Sequence, residues 1–247
     1  MKYPLLGSAL AALYLWPVQG ALAQPAAAAD SGAVASLRQH QQRALGYESG
    51  LYNGPEYVNY VKRYVKGHQF FESAEARLAQ VDYSGASYTA VLLRYDLVRD
   101  QLVIKAPLGA LDMHLVSEQV AGFTLDGHRF IRLAASDNDG LPLRAGFYDL
   151  LLDGPMPVLA ARRKTLLEES TPRGQEGEIT QENELFVYKN QHYYPVSSAG
   201  SVLRLFPGHR AALRHYLRAQ GLRFRKKSRE AAVVALVRQA TTLQPVP

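Results

Sequence analysis

Over residues 75–167 the apolar positions come in short runs rich in β-branched and aromatic side chains, each bounded by turn residues. Residues 77–82 and 88–97 flank Ser84 and Gly85, and residues 101–105 follow a turn at Arg99 and Asp100. Residues 111–116 alternate Leu111, Met113 and Leu115 with Asp112 and His114, the period-two pattern of a strand with one face toward a core. Residues 122–125 and 128–133 enclose Asp126 and Gly127, a pair that favours a tight primed turn, and so predict a hairpin. Residues 146–152 and 158–167 continue the series. Runs this short and evenly spaced predict antiparallel strands, as a meander or a strongly curved sheet.

Residues 170–183 (STPRGQEGEITQEN) break the pattern, and their near lack of apolar side chains predicts a surface loop or linker. Residues 185–188 and 192–196 then predict a hairpin around Asn190 and Gln191. After residue 200 the period becomes helical. Ser201 reads as the N-cap of a short turn ending near Phe206, and Pro207 suits the first position of the next helix. Ala212, Leu213, Tyr216 and Leu217 share one face of that helix, which Gly221 ends. Ser228 caps a final helix to about Leu243, with Glu230 in its first turn and Val233, Val237 and Ala240 as its apolar stripe. Strands first and helices last make the fold class α+β, with a β-rich body over residues 50–200 and a helical segment over 201–247.

Upstream, Tyr47, Tyr52, Tyr57, Tyr60 and Tyr64 precede Phe70 and Phe71, with a turn at Asn53, Gly54 and Pro55. Val58, Val61 and Val65 fit a helical face, while the aromatic and β-branched bias favours extended chain; both readings stay open. Residues 24–49 begin with QPAAAADSGAVAS, too small and polar to build a core, and are expected to form a flexible leader. Residues 1–23 carry Lys2, an apolar stretch from Leu5 to Trp16, the breakers Pro17 and Gly20, and small Ala21 and Ala23. These are the parts of a cleaved signal peptide, with the cut expected before Gln24 and the product periplasmic or secreted. The absence of cysteine excludes disulfides and thiolate metal sites. The 47 % hydrophobic and 20 % charged content is that of a globular chain able to rely on its core.

Four strings, ELFVYKNQHYYPV, SVLRLFPGHRAALRHYLRAQGLRF and the earlier YDLVRDQLVIK and FTLDGHRFIRL, resemble those of uncharacterised exported bacterial proteins with a β-rich body and C-terminal helices. The resemblance covers roughly residues 50–243. It implies the same architecture, and no activity accompanies it.

Charge adds the most informative asymmetry. The net charge is +6, yet the last 47 residues hold ten Arg or Lys against the single acid Glu230. Arg210, Arg214 and Arg218 are spaced by four and line one strip of a helix, which Arg223, Arg225, Lys226 and Lys227 extend. Such a strip attracts anions. Export argues against nucleic acid and leaves an acidic envelope protein, an acidic polysaccharide, lipid headgroups or the protein's own acidic β portion as partners; a merely solvated basic face is the bland alternative.

Catalytic signatures are thin. Asp30, Ser31, Gly32 and Ala33 spell an aspartic-protease string, but it stands once, in the leader, and that chemistry needs two aspartates sharing a proton. No G-x-S-x-G is present. The seven histidines (His40, His68, His114, His128, His192, His209 and His215) form no H-E-x-x-H and no i, i+4 pair. Asp137, Asn138, Asp139 and Gly140 lack the ordered ligand spacing of a calcium loop. Asp96, Asp100, Asp112, Asp126, Asp149 and Asp153 fall where turn chemistry is ordinary. The expectation is a binding module without cofactor or catalysis. It would dock through the basic strip, with exposed Tyr57, Tyr60 and Tyr64 adding contact. An envelope hydrolase assembled only in three dimensions, or a structural accessory of an envelope complex, is the alternative.

Overall fold

The computed structural model describes residues 50–106, 111–133, 136–138 and 141–243. The expected signal peptide and leader (1–23 and 24–49), and Asp139 and Gly140 of the oxygen-rich turn, lie outside the described residues. The strands run in chain order as β1 (Val65–Lys66), β2 (Arg77–Tyr83), β3 (Ala86–Asp96), β4 (Gln101–Lys105), β5 (Asp112–His114), β6 (Val120–Leu125) and β7 (His128–Leu133). There follow β8 (Ser136–Asn138), β9 (Leu141–Leu143), β10 (Gly146–Leu152), β11 (Val158–Thr171), β12 (Gly174–Lys189) and β13 (His192–Pro195). Three helices close the chain: α1 (Ala199–Arg204), α2 (Arg210–Ala219) and α3 (Arg229–Leu243). The architecture is α+β and β-rich.

Turn chemistry sets the hairpins. Asp126 and Gly127, with φ of 49° and 80°, both occupy the left-handed region between β6 and β7, as a type I′ turn requires. Ser84–Gly85 joins β2 to β3, and Asn190–Gln191 joins β12 to β13, in the same way. One large sheet results, in the order β1-β12-β11-β10-β7-β6-β2-β3-β4-β5, with β13 also beside β12. All contacts are antiparallel except β1 with β12, so the sheet is mixed where an antiparallel one was expected. β8 and β9 pair separately. The Lys164 N–H donates to the Leu97 carbonyl at 3.1 Å, which brings the tip of the β3–β4 hairpin onto the middle of β11 and curls the sheet over.

Inside the curl lies a core of Val81, Leu93, Tyr95, Phe123, Phe130 and Phe147. Its rings meet mostly edge to face, with Tyr95 5.2 Å from Phe123 and 5.8 Å from Phe147. The same sheet face continues to Val158, Ala160, Leu185 and Val187, which α1, α2 and α3 cover with Val202, Leu213, Val233 and Val237. No helix among the described residues is long and apolar enough to cross a membrane.

Four expectations need correction or completion. Residues 170–183 are not a loop: β11 and β12 pair without a break from Val158↔Val187 to Thr171↔Gly174. Both faces of this end of the hairpin meet water, so polarity carries no strand signal there. The ladder and cross-strand contacts such as Gln175 Nε2 to Ser170 Oγ, 2.7 Å, hold it instead. The tyrosine-rich segment is extended, bridged at Glu56↔Met113 and Phe70↔Asp96. Ser198, not Ser201, caps α1; Ser201 is the third helical residue and completes a capping box with it. Ala212 is exposed, whereas Leu213, Tyr216 and Leu217 do pack inward. Gly221 ends α2 at φ 58°, its N–H bonded to Arg218 O and that of Leu222 to Leu217 O, a Schellman motif.

Candidate functional site

The basic strip forms because α2 has a single apolar side. Leu213 is fully buried and Tyr216 and Leu217 pack beside it, so positions 210, 214 and 218 are turned outward. Arg210, Arg214 and Arg218 are all exposed, and each step of four residues advances roughly 6 Å along the axis. Arg223, Arg225, Lys226 and Lys227, in the segment between α2 and α3, are exposed as well. Among the described residues none of these seven cations forms an ion pair, although surface acids are plentiful elsewhere. The arrangement is locally unfavourable. Like charges at i, i+4 repel, and Arg210 places a cation at the positive end of the helix dipole, although Arg218 in the last turn is favoured by the negative end.

The three tyrosines separate from this surface. Tyr57 is 6 % exposed and Tyr60 half-buried, so neither adds contact area as expected. Their hydroxyls donate to Asp96 Oδ2 at 2.7 and 3.1 Å. Burial, with the Asp96 carboxylate close by, drives both phenols far above their usual range, so they stay neutral donors. The Arg99 guanidinium lies 3.7 Å from the Tyr60 ring centroid. Tyr64 is 41 % exposed, but its hydroxyl is engaged by Glu168 Oε1 at 2.6 Å. The tyrosines strap residues 55–70 across the outside of the sheet.

A polar junction that the sequence reading missed lies where the helices meet the strands. Arg162 on β11 donates from Nε and NH2 to Asp149 Oδ2 of β10, at 2.8 and 2.6 Å. It also grips Glu230 of α3 with two parallel bonds of 2.9 Å. Asn183 adds a third donor to Glu230 at 3.1 Å, and His128 Nδ1 of β7 lies 2.8 Å from Asp149 Oδ2. Burial raises the Glu230 pKa, but the bonds from Arg162 and Asn183 outweigh it and leave the carboxyl below its ordinary value. One signal was available: Glu230 is the single acid among ten cations in the last 47 residues.

His128 makes the junction sensitive to pH. Its bond to Asp149 raises its pKa against the opposing effects of burial and of Arg162, with Glu72 adding to the rise. A pKa raised in the folded state gives stability that is complete below the unfolded value, near 6.5, and disappears as pH climbs through the folded value. Urea midpoints are therefore expected to fall from about pH 6 to about pH 8, and His128→Gln to flatten that part of the profile. An unchanged slope in the variant would remove His128 as its source.

Among the described residues no group of three His, Asp or Glu side chains is placed to hold a metal ion. Compared with protein-family models, curated proteins and solved structures, the chain finds no match.

Proposed function

We propose that this chain is an exported, non-catalytic binding module that docks an acidic envelope surface through α2 and residues 223–227. In this reading residues 1–23 direct export and are cut before Gln24. The C-terminal segment is read as a basic helical attachment to the sheet, within which β2–β5 and β10–β13 run as meanders. The observation that carries the reading is the set of seven exposed cations without an acidic partner among the described residues. Three of them share one helix strip despite the mutual repulsion of like charges at i, i+4. The partner is an acidic envelope protein, polysaccharide or anionic headgroup.

The test uses the protein with Arg210, Arg214, Arg218, Lys226 and Lys227 changed to Glu, beside the parent. Polygalacturonate and vesicles containing phosphatidylglycerol serve as anionic probes. The parent is expected to bind at least one probe at about 50 mM salt and to release it by about 500 mM, where screening reaches only a few ångströms. The charge-reversed protein is expected to bind at least tenfold more weakly, with a stability change within about 0.5 kcal/mol. Binding that ignores salt, or survives the reversal, sinks the proposal.

A further inference from the structure

The helices cover one face of β10–β12. On the other face Tyr148, Leu159 and Ala161 are buried beneath a partly open layer that includes Phe186 and Tyr193. The ladder explains the layout. Cross-strand partners share a face, so Arg163 stands with Glu182, Ala161 with Glu184 and Leu159 with Phe186, while Pro195 of β13 stands beside Phe186. Of these, Arg163, Glu182, Glu184, Phe186 and Pro195, together with Arg144, line a groove of about 630 Å³, within the range of small-molecule sites.

The chemistry of the groove is amphoteric. Tyr148 forms its floor, edge-on to Phe186 at 6.1 Å, with its hydroxyl donating to the Arg144 carbonyl at 2.8 Å. Tyr193 stands at one end against Tyr188, ring centroids 4.8 Å apart. Two guanidinium groups, Arg144 and Arg163, and two carboxylates, Glu182 and Glu184, surround this aromatic strip. Glu182 and Glu184 are exposed, and neither enters an ion pair among the described residues, although Arg163 is the direct cross-strand partner of Glu182.

We propose that this groove binds a neutral oligosaccharide, with Phe186 and Tyr193 against sugar faces and Glu182, Glu184, Arg144 and Arg163 on its hydroxyls. Equal numbers of donating guanidinium and accepting carboxylate groups leave no net charge to favour an ion. They do match hydroxyls, each of which donates and accepts. Aromatic rings supply flat apolar area with little conformational freedom to lose.

Titration calorimetry of the whole chain with cellotetraose, chitotetraose and maltotetraose tests the assignment. At least one is expected to bind with a Kd between about 10 µM and 1 mM, a range suited to a shallow, partly open groove. Tyr193→Ala is expected to weaken it about tenfold, and Glu182→Gln with Glu184→Gln by a similar factor without lowering the thermal midpoint. The charge-reversed helix variant is expected to bind the sugar normally, which separates this site from the basic surface. No binding of any of the three at about 10 mM, or binding that the Glu182→Gln, Glu184→Gln double variant leaves unchanged, overturns the proposal.

Discussion

Arg162→Met is expected to lower stability by about 3–5 kcal/mol, the range for stranding one member of a buried ion pair. In a domain of this size that corresponds to a thermal midpoint roughly 10 °C lower. Asp149 is 1 % exposed and Arg162 6 % exposed, so neither can turn to water when its partner goes. Without the guanidinium, among the described residues Asp149 keeps only His128 as a side-chain partner, and Glu230 keeps only Asn183. The loss arises from the stranded carboxylate rather than from a large net value of the ion pair. Combining Asp149→Leu with Arg162→Met is therefore expected to recover most of it, as a double-mutant cycle on urea midpoints will read. Glu230→Gln is expected to cost about 1 kcal/mol, because the side chain is partly exposed and its amide oxygen still accepts from Arg162. A single Arg162→Met variant with an unchanged midpoint would falsify this account of the junction.

Asp96→Ala is expected to cost about 3 kcal/mol and to release the strap over residues 55–70. Asp96 is fully buried, and four groups converge on it: the hydroxyls of Tyr57 and Tyr60, and the backbone N–H groups of Val98 and Arg99 at 2.9 and 3.0 Å. Alanine leaves the two turn amides without an acceptor. Tyr57 retains Gln69 Nε2, which donates to its hydroxyl at 3.1 Å. Asparagine keeps one carbonyl oxygen for the turn, and the tyrosine hydroxyls can rotate to accept from its amide, so Asp96→Asn is expected to cost only about 1 kcal/mol. Hydrogen exchange at Val98 and Arg99, with limited proteolysis over residues 58–64, separates local release from global loss. Equal effects of the two substitutions, or no gain in cleavage, would contradict the role given to Asp96.

Local chemistry was legible in the sequence. The Asp126–Gly127 turn, the glycine end of α2, and the stripe of Val233, Val237 and Ala240 depend on neighbours within a few residues, and each is found. What failed were inferences that treated polarity as a measure of position. The strand residues Glu176 and Glu178 looked like loop because no core lies beneath them. Asp149 looked like turn chemistry, yet its partner Arg162 lies 13 residues on, and Glu230 is a further 68. Tyr57 and Tyr60 looked like surface anchors because nothing nearby revealed Asp96, 36 to 39 residues away. The outward basic strip was readable for the opposite reason: helical spacing alone fixes which arginines share a side.

The parallel contact of β1 with β12 sets a schedule for making the protein. Val65 lies beside Gly177, and the Tyr64 hydroxyl reaches Glu168, 104 residues later in the chain. A ribosome adds about 5–20 residues per second, so this early segment waits roughly 5–20 s for the strand it must lie against. β1 is two residues long and has no shorter-range strand partner in the sheet, so waiting cannot be avoided by pairing elsewhere. β1 is thus closed in long after it is synthesised. Val65 spends that interval in the company of whatever escorts the nascent chain.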